Sequence, residues 1–181
     1  MTGLARSTID GHLGVLLENG LIEDGGLGGS NLRGRPAQVF KVSAARGVVL
    51  VADVSIEVTR LALTTLDKVV VEWRDIDMHV EVDPTVLLGA ICDAFAEMLH
   101  ANSLAADDAL AISVGLPGPV DSHLGFAVRP PLMPGWDGFS VCKFMAERIV
   151  CDVIVDNDVN LMALGEARAY GGAHLPLLMI N

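Results

Sequence analysis

Apolar residues recur at Ile9, Leu13, Leu16 and Leu17, the i, i+4, i+7, i+8 spacing of one helix face. Gly3 precedes this stretch and Gly20 follows it, and a glycine just past the last turn is a usual helix stop. Residues 21–23 then read as a short strand, 25–31 as a flexible glycine-rich loop, and 37–42 as a returning strand. A helix followed by a hairpin with a glycine-rich tip is the back half of a winged helix. From Gly47 the pattern changes. Residues 48–52 form an unbroken apolar run, as in a buried strand. Strands are predicted over 58–66 and 69–78, turning at Asp67-Lys68. Asp83 and Pro84 suit an N-cap and a first helical position. Leu87, Leu88, Ile91, Phe95, Met98 and Leu99 continue as an amphipathic helix. A buried strand over 109–114 ends at Gly115-Leu116-Pro117-Gly118-Pro119, and a loop rich in Pro and Gly runs to Gly138. A helix (141–149), a strand (153–155), a helix (about 160–170) and a last strand near 177–181 complete the pattern. The order from Gly47 onward, βββαβαβ, is that of a ribonuclease H-like lobe.

Charge sharpens this division. The 181 residues carry a net charge of −11, which argues against a surface that coats nucleic acid throughout. Residues 1–46 sum to +1 and the remainder to −12. A near-neutral head on an acidic body suggests two modules, residues 1–46 and 47–181, with different partners. Cys92, Cys142 and Cys151 form no close-spaced pair of the kind that announces zinc, so no metal site is expected here. Three scattered thiols, no signal peptide and no run of about 20 apolar residues point to the cytoplasm, away from membranes. Both ends have the look of a cut: the first residues read as the middle of a motif, and the last as a strand with nothing after it.

Two segments carry DNA-reading chemistry. In Thr2–Ile9, a helix starts close to Arg6, Ser7 and Thr8, where free N–H groups and the positive dipole end suit phosphate. Those three side chains would face a groove while Ile9 and Leu13 face a core. Ala5 stands where a serine would cap this helix, and its loss costs about 1 kcal/mol. Any amphipathic helix with a polar start looks similar. Arg33-Gly34-Arg35-Pro36 is more specific. Gly34 lets an extended backbone enter a narrow minor groove, where Arg33 and Arg35 meet enhanced negative potential.

Sugar-binding chemistry gathers in the body. Asn157 and Asp158 lie between a strand and a helix, where ligands of open α/β sheets collect. Side by side they offer donors and acceptors to neighbouring hydroxyls, although Asn and Asp are also common turn formers there. Gly118 would approach the same ligand by backbone. Residues 134–138 could form a lid, with Trp136 on a sugar face or simply packed in the loop. The histidines are dispersed, without a Ser or Cys partner.

Taken together, GLARSTIDGHLGVLLENGLI, RGRPA, ISVGLPGPVD, PLMPGWDGF and VDNDVNLMALGEA resemble the ROK family of repressors, open reading frames and sugar kinases, in order and over essentially the whole chain. RGRPA after a helix-turn-helix points to its regulator branch. The resemblance implies an α/β fold: a partial winged helix, then the first lobe of an actin-like (ribonuclease H-like) sugar-kinase domain. It implies that Asn157 and Asp158 bind sugar hydroxyls, and that Asp158 would be the catalytic base in a kinase. Kinases of the family carry Asp-x-Gly-Gly-Thr after the first strand. Here Asp53 is followed by Val54-Ser55-Ile56-Glu57, which removes both glycines and adds a charge that repels phosphate. The expectation is therefore a non-enzymatic, sugar-responsive regulator, with operator DNA and a sugar or sugar phosphate as partners and homo-oligomerisation at full length. The alternative is a glucokinase-like enzyme that phosphorylates a hexose with ATP. No cofactor is expected in this stretch; the resemblance places a zinc site in a second lobe beyond Asn181.

Overall fold

The computed structural model describes residues 3–28 and 37–169. Arg33, Arg35 and the strand expected near 177–181 lie outside them.

Helix α1 (Arg6–Glu18) comes first. Ala5 precedes it in extended conformation and makes no side-chain cap. Ile9 and Leu13 are half-buried, and the helix buries no residue fully, so the core expected beneath them is absent among the described residues. Strands β1 (Ile22–Gly28) and β2 (Ala37–Val42) form an antiparallel hairpin. Gly25, Gly26 and Gly28, expected in a loop, instead extend β1, because a register shift between Asp24 and Leu27 absorbs the extra residue and Gly28 still pairs with Ala37.

The body is a five-stranded sheet of order β5-β4-β3-β6-β9. It contains β3 (Val48–Val54), β4 (Thr59–Thr65), β5 (Val70–Ile76), β6 (Ala109–Leu116) and β9 (Asp152–Asn157). Strands β3, β4 and β5 form an antiparallel meander, while β6 and β9 run parallel to β3. Helices α2 (Pro84–Ala101), α3 (Val141–Ala146) and α4 (Asp158–Ala169) fill the connections. A small hairpin, β7 (Val120–Asp121) and β8 (Phe126–Ala127), braces the loop after β6. This is the βββαβαβ order expected from the hydrophobic pattern, in a mixed α/β sheet.

Alternation sets the faces of the sheet. Leu50 pairs with Leu63 and Ile112, and Ala52 with Leu61 and Val114, so these buried residues form continuous rows. Leu87, Leu88, Ile91, Phe95 and Met98 of α2 complete the same core. Asp83 caps α2 by accepting from the Thr85 N–H at 2.9 Å. The intervening cross-strand row, Trp73, Ala62, Val51, Ser113 and Ile154, belongs to the opposite face. Trp73 is 68 % exposed and Ile154 55 %. Strand β5 forms one edge of the sheet, with Val70 and Val71 also exposed.

Of the two readings open for Trp136, packing within the protein is the one the structure shows. Trp136 is fully buried, and its indole Nε1 donates to the Val80 carbonyl at 3.1 Å. An aromatic side chain with one polar atom, and a carbonyl to receive it, belongs in a core. It anchors the 134–138 loop to the segment after β5 and presents no face to a ligand. Helix α3 also stops at Ala146, short of the expected 149, while Ile149 remains in the core below it.

Candidate functional site

The three parallel strands end side by side. Asp53, Gly115 and Asp156 form one cross-strand row at their carboxyl ends. Strand β6 runs two residues further than expected, through Leu116, and β9 carries Asn157 as its last residue. Asp158 begins α4 directly, without an intervening turn. Gly115 lies directly beneath this junction: a Cβ there would rest in ordinary contact with the Asp158 Cα at 3.5 Å and the Leu161 side chain at 3.4 Å. The N-terminus of α4 therefore sits against β6, and Asp158 lies above the row that includes Asp53.

Asn157 ties the site together. Its Nδ2 donates to the Gly118 carbonyl at 2.8 Å and approaches the Leu116 carbonyl at 3.5 Å. Its Oδ1 accepts from the Asn160 N–H at 3.2 Å. Carbonyls on one side and an N–H on the other leave one orientation for the amide. Gly118 has φ +107°, in the left-handed region that favours glycine, so the turn can present its carbonyl to Asn157. Asp156, which drew no role from the sequence, accepts from the Asn157 N–H at 2.7 Å and from Asn160 Nδ2 at 3.0 Å. The signal for it was its place at a strand-to-helix junction, where such side chains bond locally. Asp158 Oδ1 accepts from the Val159 N–H at 2.8 Å; among the described residues its other oxygen meets no donor.

Asp53 faces the same space. Burial, and then the charge of Asp158, push its carboxyl above the ordinary value, while Arg60 pulls it down. Arg60 is Asp53's register partner on β4 and also lies 3.7 Å from Asp75.

The turn after β3 does not fit a nucleotide phosphate. Ser55 Oγ accepts from the Glu57 and Val58 N–H groups at 3.3 and 3.2 Å and donates to the Val58 carbonyl at 2.7 Å. The N–H groups that would cradle a phosphate are satisfied from within. The half-exposed Ile56 and the exposed Glu57 stand outside this closed turn.

Among the described residues no group of three or more His, Cys, Asp or Glu side chains could hold a metal ion. The cysteines are free, and burial raises the thiol pKa of each, that of Cys92 to about 11. Cys92 lies in the core, and the half-buried Cys142 and Cys151 pack against it. Arg6, Ser7 and Thr8 are exposed at the start of α1, where Arg6 lies 3.9 Å from Asp10.

Comparison with known proteins gives a consistent set of likenesses. The profile of the ROK family matches residues 54–178. A glucokinase of Halalkalibacterium halodurans is 31% identical over 58% of this chain and 31% of its own length. The xylose repressor of Bacillus spizizenii is 24% identical over 96% of this chain and 44% of its own. The crystal structure of a ROK family transcriptional regulator, a homolog of the E. coli MLC protein, superposes with TM-score 0.73 at 24% identity, over 91% of this chain and 41% of that one. The chain thus spans less than half the length of each of these relatives.

Proposed function

The chain belongs to the ROK family, and on that premise we propose that it acts as a sugar-responsive, DNA-binding transcriptional repressor of carbohydrate metabolism. The observation that carries this reading is the turn at Ser55, whose backbone donors are closed to phosphate by the serine's own hydroxyl. The extent of the likenesses supports it. A match over 96% of the chain takes in most of the helix and hairpin of residues 1–46, and it is to a repressor; the glucokinase match covers 58%. In this reading Arg6, Ser7 and Thr8, with Arg33 and Arg35, contact operator DNA, and Asn157, Asp158 and Gly118 hold the effector. The protein works in the cytoplasm as a homo-oligomer. Xylose is the first effector to test, given the relatives' names.

A second reading, a sugar kinase with Asp158 as base, draws support from the juxtaposition of Asp53 and Asp158. Sugar-dependent ATP turnover at enzymatic rates would establish it in place of the first.

The regulator reading is tested by coupling. A sugar changes operator affinity only if it favours one arrangement of body and head. A typical coupling is about 1–3 kcal/mol, roughly 5–150-fold in operator affinity. Asp158→Asn keeps the shape of the site and removes a charge. It should weaken sugar binding and abolish the sugar's effect on DNA while sugar-free operator binding stays nearly intact. Gel shift with and without sugar, for both proteins, reads the outcome. A variant that responds at the same sugar concentration reduces the Asn157-Asp158 pair to a turn.

A further inference from the structure

We infer that Gly47 is a positioning residue for the DNA-reading head. It holds the joint between head and body in an arrangement open only to glycine, and the effector governs operator binding by shifting the joint into or out of that arrangement. The inference rests on the regulator reading above and adds the place where the two modules are coupled.

Residues 43–47 hold on to both modules. On the head side, Ser43 is buried and its N–H donates to the Leu21 carbonyl at 3.1 Å. A Cβ at Gly20 would meet the Arg46 Cδ at 4.0 Å, so the Arg46 side chain passes over the stop of α1. A single turn of 3₁₀ helix (Ala44–Arg46) then leads from β2 to β3. On the body side, Gly47 has φ +148°, a conformation that residues with a side chain rarely adopt. A Cβ there would collide with the Asp108 carbonyl oxygen, a backbone atom that cannot swing aside. The Leu110 Cγ would lie 3.0 Å from the same point. A register shift sets Leu110 in that place: Val48 pairs with Ala109 and Val49 with Ala111, which leaves Leu110 as the extra residue of β6.

The joint therefore closes on the first residues of β6, and the candidate site stands on its last ones. Leu116 ends β6 with its carbonyl toward Asn157, and Gly115 lies beneath Asp158. Between these ends β6 is flanked by β3 and β9, and its Ile112 and Val114 are fully buried. A close-packed strand transmits a displacement along its length. At the joint the displacement meets a contact without slack. Coupling needs two arrangements of head and body with different affinities for the sugar. Gly47 gives access to both, because glycine enters and leaves positive φ without a steric penalty. With one arrangement removed, no sugar can shift the balance, however tightly it binds.

The test compares full-length wild type, Gly47→Ala, Leu110→Ala and, as a control, Gly89→Ala, whose added methyl meets open space on α2. The DNA probe is a duplex that the wild type selects from a randomised library. The sugar probes are D-xylose, D-glucose and D-mannose. Gel shift reads operator affinity with and without sugar, and isothermal titration reads sugar affinity with and without the duplex. Gly47→Ala should bind sugar in the absence of DNA as the wild type does. Its operator affinity should stay at one of the two wild-type levels and no longer respond to sugar. By reciprocity, the duplex should cease to alter its sugar affinity. Leu110→Ala loosens the same contact and should shrink the response, while Gly89→Ala should keep it in full.

A Gly47→Ala protein that responds as the wild type does overturns the inference. So does one that loses sugar affinity without DNA, since its defect then lies in the body. A Gly89→Ala protein that also stops responding overturns it as well, because the effect is then not particular to the joint. If Gly47→Ala does not fold, an undiminished response in Leu110→Ala overturns it alone. A wild type whose operator affinity none of the sugars changes overturns the regulator reading itself, which keeps the two failures apart.

Discussion

At the scale of the residue, Asp53 shows what the site costs the fold. Its carboxyl is raised by burial and by Asp158, so its proton is held more tightly in the folded chain than in the unfolded one. The sign follows from linkage. Stability contributed by a group with a raised carboxyl pKa is present below the unfolded value, near 3.9, and is lost as pH rises toward the folded value. Asp53→Asn should therefore stabilise the protein at pH 7 and make little difference below the ordinary carboxylate range. Urea denaturation at the two pH values measures this, and an equal effect at both would show that charge is not the cause. Trp136 gives a second residue-scale expectation. Trp136→Ala removes a fully buried ring and strands the Val80 carbonyl, at a cost of about 3–5 kcal/mol in the same assay. Sequence alone left that tryptophan between lid and core, because a loop rich in Pro and Gly has no periodicity to show which way a side chain points. Asn157 and Asp158 were legible as a pair. Their unequal roles were not, since the hydrogens of Asn157 are consumed by carbonyls about 40 residues earlier in the chain.

At the scale of the element, the strands of the body and helix α2 were legible because each buries one side, and burial writes a period into the sequence. The boundaries that moved lie where the residue type misleads. Gly115 reads as a strand end, yet it continues β6, because its backbone stays in register with Asp53 and Asp156 on the neighbouring strands. Asn157 and Asp158 read as lying between a strand and a helix, yet they split cleanly into the last residue of β9 and the first of α4. Helix α1 was legible from its spacing, and its weak point was legible too: Ala5 makes no side-chain cap. Ala5→Ser should supply an acceptor for the first-turn N–H groups and stabilise the helix by about 1 kcal/mol. Slower amide hydrogen exchange at Ser7 and Thr8 would register the gain. Exchange rates unchanged from wild type would mean that something other than the cap limits this helix end.

At the scale of the whole molecule, the sheet is lopsided. One face is sealed by α2 and α3, while among the described residues α4 lies against β6 and β9 on the other. No single-strand pattern reveals this, since the half-buried row of Val51, Ala62 and Ser113 is made of residues as small and uncharged as those of a covered one. The imbalance ends at β5, a sheet edge that exposes Val70, Val71 and Trp73. Such an edge offers unpaired backbone donors and acceptors alongside an apolar surface, which together template the addition of another strand. The practical consequence is colloidal. This chain should lose monomer with time at high protein concentration well below its melting temperature, and its net charge of −11 should protect it less as salt is added. Trp73→Lys places a charge on that edge and should delay the rise in light scattering while leaving the melting temperature nearly unchanged. If the variant clouds as fast as its parent, another surface seeds the aggregate.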